Sequence, residues 1–224
     1  MFAPTVQGEG VNTGQLVGFL RLANCNLACS WCDTPYSWDW KRYDKTLETT
    51  EMDIADVADV INNWDVPRVI ITGGEPLMQQ KDIVSLISLC PEVEFDVETN
   101  GTITPLPELI NAVTIFNVSP KLKHSGDIEK KRLKADALNA FIDIAWEGKA
   151  HFKFVCQSVA DLDEVRAIAD DYNIPDGHVW IMPEGVTSHD QVERLQILID
   201  EIVKRRFNVS TRLHVLAWGS KRAV

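Results

Sequence analysis

The feature that most restricts the fold is an alternation of short apolar runs with helical stretches, most runs ending in a polar turn. Val69-Ile70-Ile71 is a continuous apolar run, the pattern of a buried parallel strand. Thr72-Gly73-Gly74-Glu75-Pro76 follows at its end, then a helix from about Gln79 to Leu89. The cycle repeats. Phe95 to Val97 reads as a strand ending in Glu98-Thr99-Asn100-Gly101, and Leu106 to Ala112 as a short helix. Thr114 to Val118 is a strand ending in Ser119-Pro120-Lys121, with a helix over Ala137 to Trp146. Phe152 to Val155 pairs with a helix over Asp161 to Tyr172. Val179 to Met182 ends in Pro183-Glu184-Gly185 and leads to a long amphipathic helix, His189 to Lys204. Such alternation predicts a parallel sheet with right-handed crossovers. Active sites of these folds gather at the C-terminal strand edge, so motifs far apart in sequence are expected to converge there.

The first unit carries the most specific chemistry. Gly18 to Ala23 reads as a strand. Cys25-Asn26-Leu27-Ala28-Cys29-Ser30-Trp31-Cys32 hangs from its end, followed by Asp33 and Thr34. Three thiolates in a C-x-x-x-C-x-x-C spacing suit three corners of an iron–sulfur cube, and no fourth cysteine stands nearby. One iron is then left open to a small molecule. A zinc knuckle wants a fourth Cys or His, and none is close. A disulfide framework wants an even count and a secretory segment; the chain has five cysteines and no visible targeting segment. The spacing alone still admits a zinc site or a metal-free buried trio. Cys90 and Cys156 lie in apolar stretches and read as packed residues.

These motifs resemble the radical S-adenosylmethionine (SAM) enzymes, and among them the 7-carboxy-7-deazaguanine synthase family of the queuosine pathway. The resemblance rests on Gln7-Gly8-Glu9-Gly10, on Arg21 to Thr34, on Thr72 to Pro76 and on Ser119 to Lys121. It spans residues 7 to about 185 and weakens beyond. It implies an α/β fold, a partial (β/α)6 TIM-like barrel, in a single domain over 1–224. It implies a lyase that uses a [4Fe-4S] cluster, SAM and Mg2+. The implied reaction abstracts hydrogen from C6 of 6-carboxy-5,6,7,8-tetrahydropterin, contracts the ring and releases ammonia. The product is 7-carboxy-7-deazaguanine. Two other readings stand beside it: a glycyl-radical-enzyme activase, which shares the cysteine spacing, and a non-catalytic zinc or cluster-binding module.

The resemblance also assigns residues. Cys25, Cys29 and Cys32 would hold the cluster. Trp31, Cys32, Asp33, Gly74, Glu75, Ser119, Pro120, Lys121 and the run Met182, Pro183, Glu184, Gly185 would hold SAM, Glu75 at its amino group. Val6, Gln7, Gly8, Glu9, Arg21, Thr72 and His214 would meet the substrate, and Thr34 would join Mg2+ to the substrate carboxylate. Taken alone, several have plainer readings. Gly-Gly-Glu-Pro is also a strand-to-helix turn, Thr34 a turn or N-cap residue, Lys121 a surface lysine and His214 a packed or solvated histidine. Arg21, on a strand, must pair with a protein carboxylate or grip a ligand carboxylate.

Elsewhere the expectations are plainer. Met1 to Gly14 reads as loop. Tyr36 to Thr50 reads as a surface insertion or flap, and a helix starts at Thr50 to Asp53. Lys123 to Lys134 reads as a solvated face or mobile loop, and Arg212 to Trp218 as a last strand. A formal net charge of −11 argues against a nonspecific nucleic-acid binder. No apolar run reaches the ~20 residues a membrane span needs. A cytoplasmic protein is expected, with a small-molecule substrate, an electron donor such as flavodoxin and a homodimeric state.

Overall fold

The computed structural model describes residues 1–223. One eight-stranded sheet runs in chain order: β1 (Phe2–Val6), β2 (Leu16–Leu22), β3 (Arg68–Gly73), β4 (Glu94–Thr99), β5 (Ile115–Val118), β6 (Ala150–Cys156), β7 (Val179–Pro183) and β8 (Asn208–Val209). β1 pairs antiparallel with β2; all later pairs are parallel. β1 and β8 do not pair with each other, so the sheet is an open barrel rather than a closed one. Of the seven parallel strands, β2 to β7 are the six units of the expected partial barrel.

The helices are α1 (Lys45–Glu48), α2 (Ile54–Asn62), α3 (Gln80–Ser88), α4 (Pro107–Ala112), α5 (Glu129–Arg132), α6 (Ala135–Trp146), α7 (Val159–Tyr172), α8 (Ser188–Lys204) and α9 (Leu213–Trp218). Their starts follow local chemistry. Ser158 and Asp161 form a reciprocal capping box ahead of α7, and Thr187 caps α8 by accepting from Asp190 N.

Alternation along each strand sorts the two faces. Leu20, Val69, Ile71, Val97, Phe116 and Phe154 belong to one buried apolar core. Their strand neighbours Arg21, Thr72, Glu98, Asn117 and Lys153 line the concave side instead. Five phenylalanines in this core are essentially inaccessible, Phe95, Phe116, Phe141, Phe152 and Phe154. Phe116 and Phe141 meet edge-on, with centroids 5.5 Å apart. Burial of such a side chain contributes about 1.5–3 kcal/mol. Cys90 and Cys156 are buried in the same core. The core can therefore be apolar while the barrel interior stays polar.

Three sequence expectations change. The first residues are not loop: Phe2–Val6 form edge strand β1, with Phe2 stacked on Phe19 at 5.2 Å. A five-residue strand with Pro4 in it carried little periodic signal, and cross-strand packing decides it. The last strand was also misplaced. Arg212 to Trp218 contains helix α9, and the strand lies earlier, at Asn208–Val209. Six residues are too few to separate the two periods. Third, Lys123 to Lys134 is not a free solvated stretch. It folds over the cysteine loop: Asp127 accepts from Ala28 N at 2.8 Å, and Ser125 O accepts from Ser30 N at 2.9 Å. The expected single domain runs to Val224, which lies outside the described residues.

Candidate active site

One cavity of about 340 Å³ opens at the C-terminal edge of the sheet. The cysteine loop forms one wall. Asn24, with φ +75°, turns the chain off β2, and its side chain accepts from Trp40 Nε1 at 3.1 Å. Asn26 is held by Asn100 and donates to Thr102, at 2.9 and 2.7 Å. All three thiols line the cavity. Trp38 Nε1 donates to Cys32 Sγ at 3.3 Å, and Leu27 N to Cys25 Sγ at 3.5 Å. N–H donors aimed at sulfur suit a thiolate and the cluster it would carry. Among the described residues no three His, Cys, Asp or Glu side chains are grouped to hold a single metal ion. Three thiols on one cavity, two of them facing N–H donors, fit three corners of a cluster. Burial pushes the Cys25 thiol up to about 11 and raises Cys29 as well, so loading a cluster must displace protons.

Most of the residues expected at SAM share one wall of the cavity. Trp31, Asp33, Gly74, Ser119, Lys121, Met182, Glu184 and Gly185 line the cavity. Trp31 stacks on His124 at 5.5 Å, and Lys121 Nζ sits 5.7 Å from the Trp31 centroid while donating to Ser119 Oγ at 2.9 Å. Lys121 is thus a cavity residue, not a surface lysine. Glu75, Pro120 and Pro183 do not line the cavity. Glu75 is wholly buried. It accepts from Leu77 N at 2.9 Å, Thr99 Oγ1 at 2.7 Å and Asn100 N at 2.6 Å. It ties the end of β3 to the end of β4 instead of offering its carboxylate to an amino group. Burial nonetheless raises its pKa. Gly74 is needed for close backbone packing: a Cβ there would lie 2.0 Å from Asn24 O, the backbone of the cysteine loop. Thr34 also lines the cavity, its hydroxyl 3.8 Å from Cys32 Sγ.

The opposite wall is assembled from distant segments. The loop between β1 and β2 dips into the barrel. Asn12 donates to Asp96 at 2.6 Å, and Gly10 N to Ser210 Oγ at 2.8 Å. This seats Val6, Gln7, Gly8 and Glu9 against the cavity. Gln7, almost fully buried, donates to Glu98, which accepts from Thr72 Oγ1 at 2.8 Å. Glu9 pairs with two buried cations, Lys153 and Arg212, the latter through Nε at 2.8 Å. Burial pushes the Glu9 carboxyl up, but Lys153, Arg212 and His214 outweigh it and hold it well below the usual range. Burial pulls Lys153 down, yet Glu9 keeps it raised. His214 is the second residue of α9, not a strand end. It packs on Gly8, where a Cβ would lie 1.9 Å from its Nδ1. Burial lowers its pKa, against the pull of Glu9.

Two cavity residues stand out for what they lack. The Arg21 side chain, half-buried on the concave face of β2, has no hydrogen bond or ion pair among the described residues. Asn117 is 2% exposed, and neither its Nδ2 nor its Oδ1 has a partner among them. Lys153, Glu98, Asn117 and Arg212 were not singled out from sequence. An alternating strand position facing a polar barrel interior was the one available signal for the first three. Nothing local marked Arg212.

The radical SAM superfamily model matches residues 21–142. A 7-carboxy-7-deazaguanine synthase of Pyrobaculum aerophilum is 36% identical over 97% of this chain and 93% of its own length. One of Hyperthermus butylicus is 34% identical over 95% and 88%, and one of Bacillus subtilis 28% over 100% and 96%. The crystal structure of QueE from Escherichia coli shares the fold, with a TM-score of 0.69 over 95% of this chain and 92% of that one, at 23% identity. Likeness over nearly the whole chain is not what a shared cysteine spacing alone would produce, so the activase and binding-module readings fall away. The chain belongs to the 7-carboxy-7-deazaguanine synthase family of the radical SAM superfamily.

Proposed function

We propose that this cavity converts 6-carboxy-5,6,7,8-tetrahydropterin to 7-carboxy-7-deazaguanine, by hydrogen abstraction and ring contraction with loss of ammonia. The observation that carries the reading is Arg21, a guanidinium without a partner among the described residues, in a cavity that also holds the three thiols. A half-buried guanidinium of this kind calls for an anion, and a carboxylate matches its fork. The family works with a [4Fe-4S] cluster, SAM and Mg2+. Bound together, cluster and SAM supply a hydrogen-abstracting radical, and Mg2+ supplies a positive charge near the substrate carboxylate.

This chain's own residues bind, orient and shield. Cys25, Cys29 and Cys32 would hold the cluster, and Thr34 would hold Mg2+. Ser119, Lys121, Trp31, Asp33 and the run Met182 to Gly185 bound the SAM side; Lys121 faces its carboxylate. Glu75, Pro120 and Pro183 shape that side from behind. Val6, Gln7, Gly8, Glu9, Thr72 and His214 bound the pterin. Glu9 is held ionised, so it accepts from ring N–H groups.

The protein acts on a small molecule, and no described helix is long and apolar enough to cross a membrane. Its acidic charge supports a reading without nucleic acid. The further reading is a single domain working as a cytoplasmic homodimer, reduced by a flavodoxin-type donor. The test is anaerobic incubation with the carboxypterin, SAM, Mg2+ and reductant, followed by mass spectrometry. Product and ammonia are expected. SAM cleavage without either would overturn the substrate assignment.

A further inference from the structure

We propose that Arg212 is a positioning residue that couples the two halves of the site, holding Glu9 on the pterin side and Asp33 on the SAM side in one fixed relation. The inference rests on the functional reading above. Arg212 is 8% exposed, and each guanidinium nitrogen reaches a different segment. Nε donates to Glu9 Oε1 at 2.8 Å, Nη1 to Gly185 O at 2.9 Å, and Nη2 to Asp33. Its backbone is anchored as well: Arg212 N donates to Gln191 Oε1 at 3.2 Å. Gln191 is itself buried and donates to Pro183 O and Gly185 O at 2.8 and 3.1 Å. One planar group thus joins the loop after β1, the cysteine loop and the end of β7, with α8 behind it.

Charge balance alone does not require this. Glu9 already has Lys153, which is buried beside it. The Asp33 side chain is 40% exposed, so water would solvate it unaided. What Arg212 adds is geometry. Its fork fixes three acceptors in one plane, and an ammonium on a flexible stem cannot. Coupled chemistry between two bound molecules is sensitive to such relations: a displacement of about 1 Å can cost on the order of a hundredfold. A loosened bridge would let SAM be consumed without product.

The test is a double-mutant cycle of Arg212→Lys and Asp33→Asn in cluster-loaded enzyme. Pterin affinity is measured by calorimetry with SAM present and no reductant, so nothing turns over. Asp33 lies on the SAM side, yet Asp33→Asn should weaken pterin binding at least about threefold, acting through Arg212. Arg212→Lys should weaken it at least about fivefold, a loss of roughly 1 kcal/mol. The double variant should be no worse than Arg212→Lys alone. With reductant, both variants should release more 5′-deoxyadenosine per product than wild type, at unchanged cluster content. Additive losses, or an unchanged pterin affinity in Asp33→Asn, would overturn the inference. A wild type that makes no product would instead overturn the functional reading. If Arg212→Lys loses its cluster, Arg212→Gln and the soluble Asp33→Asn variant decide the matter by the same affinity measurement.

Discussion

The two walls of the cavity are built in opposite ways. The proposed metal wall comes from one continuous stretch, Cys25 to Thr34, braced from behind by Asn100, Trp38 and Asp127. The proposed pterin wall takes Glu9, Arg21, Glu98, Asn117, Lys153 and Arg212 from six separate segments. The first wall is a spacing, so it depends on local backbone geometry. The second is a set of buried charges, so it depends on every segment arriving in register. Damage to the metal wall should therefore remove a function cleanly. Damage to the pterin wall should cost stability and binding together, except where a residue has no protein partner.

The largest effect tests the metal wall. Replacing Cys25, Cys29 or Cys32 with Ala should abolish cluster assembly, read as iron and sulfide per chain after anaerobic reconstitution. Wild type should take up about four of each. Cys90→Ala and Cys156→Ala should keep the cluster, because both sit in the apolar core. Zinc without sulfide in the wild type would break the comparison at its root.

Lys153→Ala tests the other wall. It leaves Glu9 buried with one of its two cations gone. Breaking a buried pair in this way costs roughly 3–5 kcal/mol, with the upper part reduced here because Arg212 remains. Chemical unfolding should show the loss, and pterin affinity should fall with it. A stability within experimental error of wild type would mean that the pterin wall is not held by charge.

Arg21→Ala separates binding from stability on the same wall. The side chain has no partner among the described residues, so unfolding should change little. Losing a charge-assisted contact to a ligand is worth about 1.5–3 kcal/mol, so KM for the carboxypterin should rise at least about tenfold. A pterin without the carboxylate should be poor for wild type and no poorer for the variant. An unchanged KM would move the carboxylate site elsewhere. Asn117→Leu sharpens the contrast further. A buried amide without a partner costs about 1–3 kcal/mol, so this variant should be as stable as wild type or more so, and a clear loss of stability would reveal a bonded amide.

The smallest effect lies away from both walls. His151 enters β6 beside its neighbour His178, with ring centroids 5.0 Å apart. Burial, with some help from His178, pulls its pKa down to about 4. The unfolded chain takes up that proton near pH 6.5. Between pH 6.5 and 4 the unfolded state holds more protons, so stability should fall as pH falls across this window. His151→Asn should flatten that part of a pH–stability curve. An unchanged slope would assign it to other groups.

How much of this was readable in advance follows the same division. The six strands, their polar ends and the cysteine loop were legible, because short continuous apolar runs and thiol spacing are local properties. The protein donors around Glu75 were not legible in advance. A carboxylate after two glycines suggests a ligand contact, but three backbone and hydroxyl donors from β4 and its own turn reach it first. The stretch over Lys123 to Lys134 was read as solvated because its charges are dense; Asp127 and Ser125 in fact hold the cysteine loop.

From its residues alone, this chain declared an α/β fold and a three-thiol loop suited to a cluster, because strand alternation and C-x-x-x-C-x-x-C spacing act over a few residues. The open barrel, the loop that enters it and the charge relay from Lys153 through Glu9 and Arg212 to Asp33 were decided only in three dimensions. A lone Arg, Lys or Glu carries no mark of its partner. The pairing exists because the parallel strands bring residues 9, 33, 153 and 212 to one edge, where burial makes an unpaired charge too costly to leave.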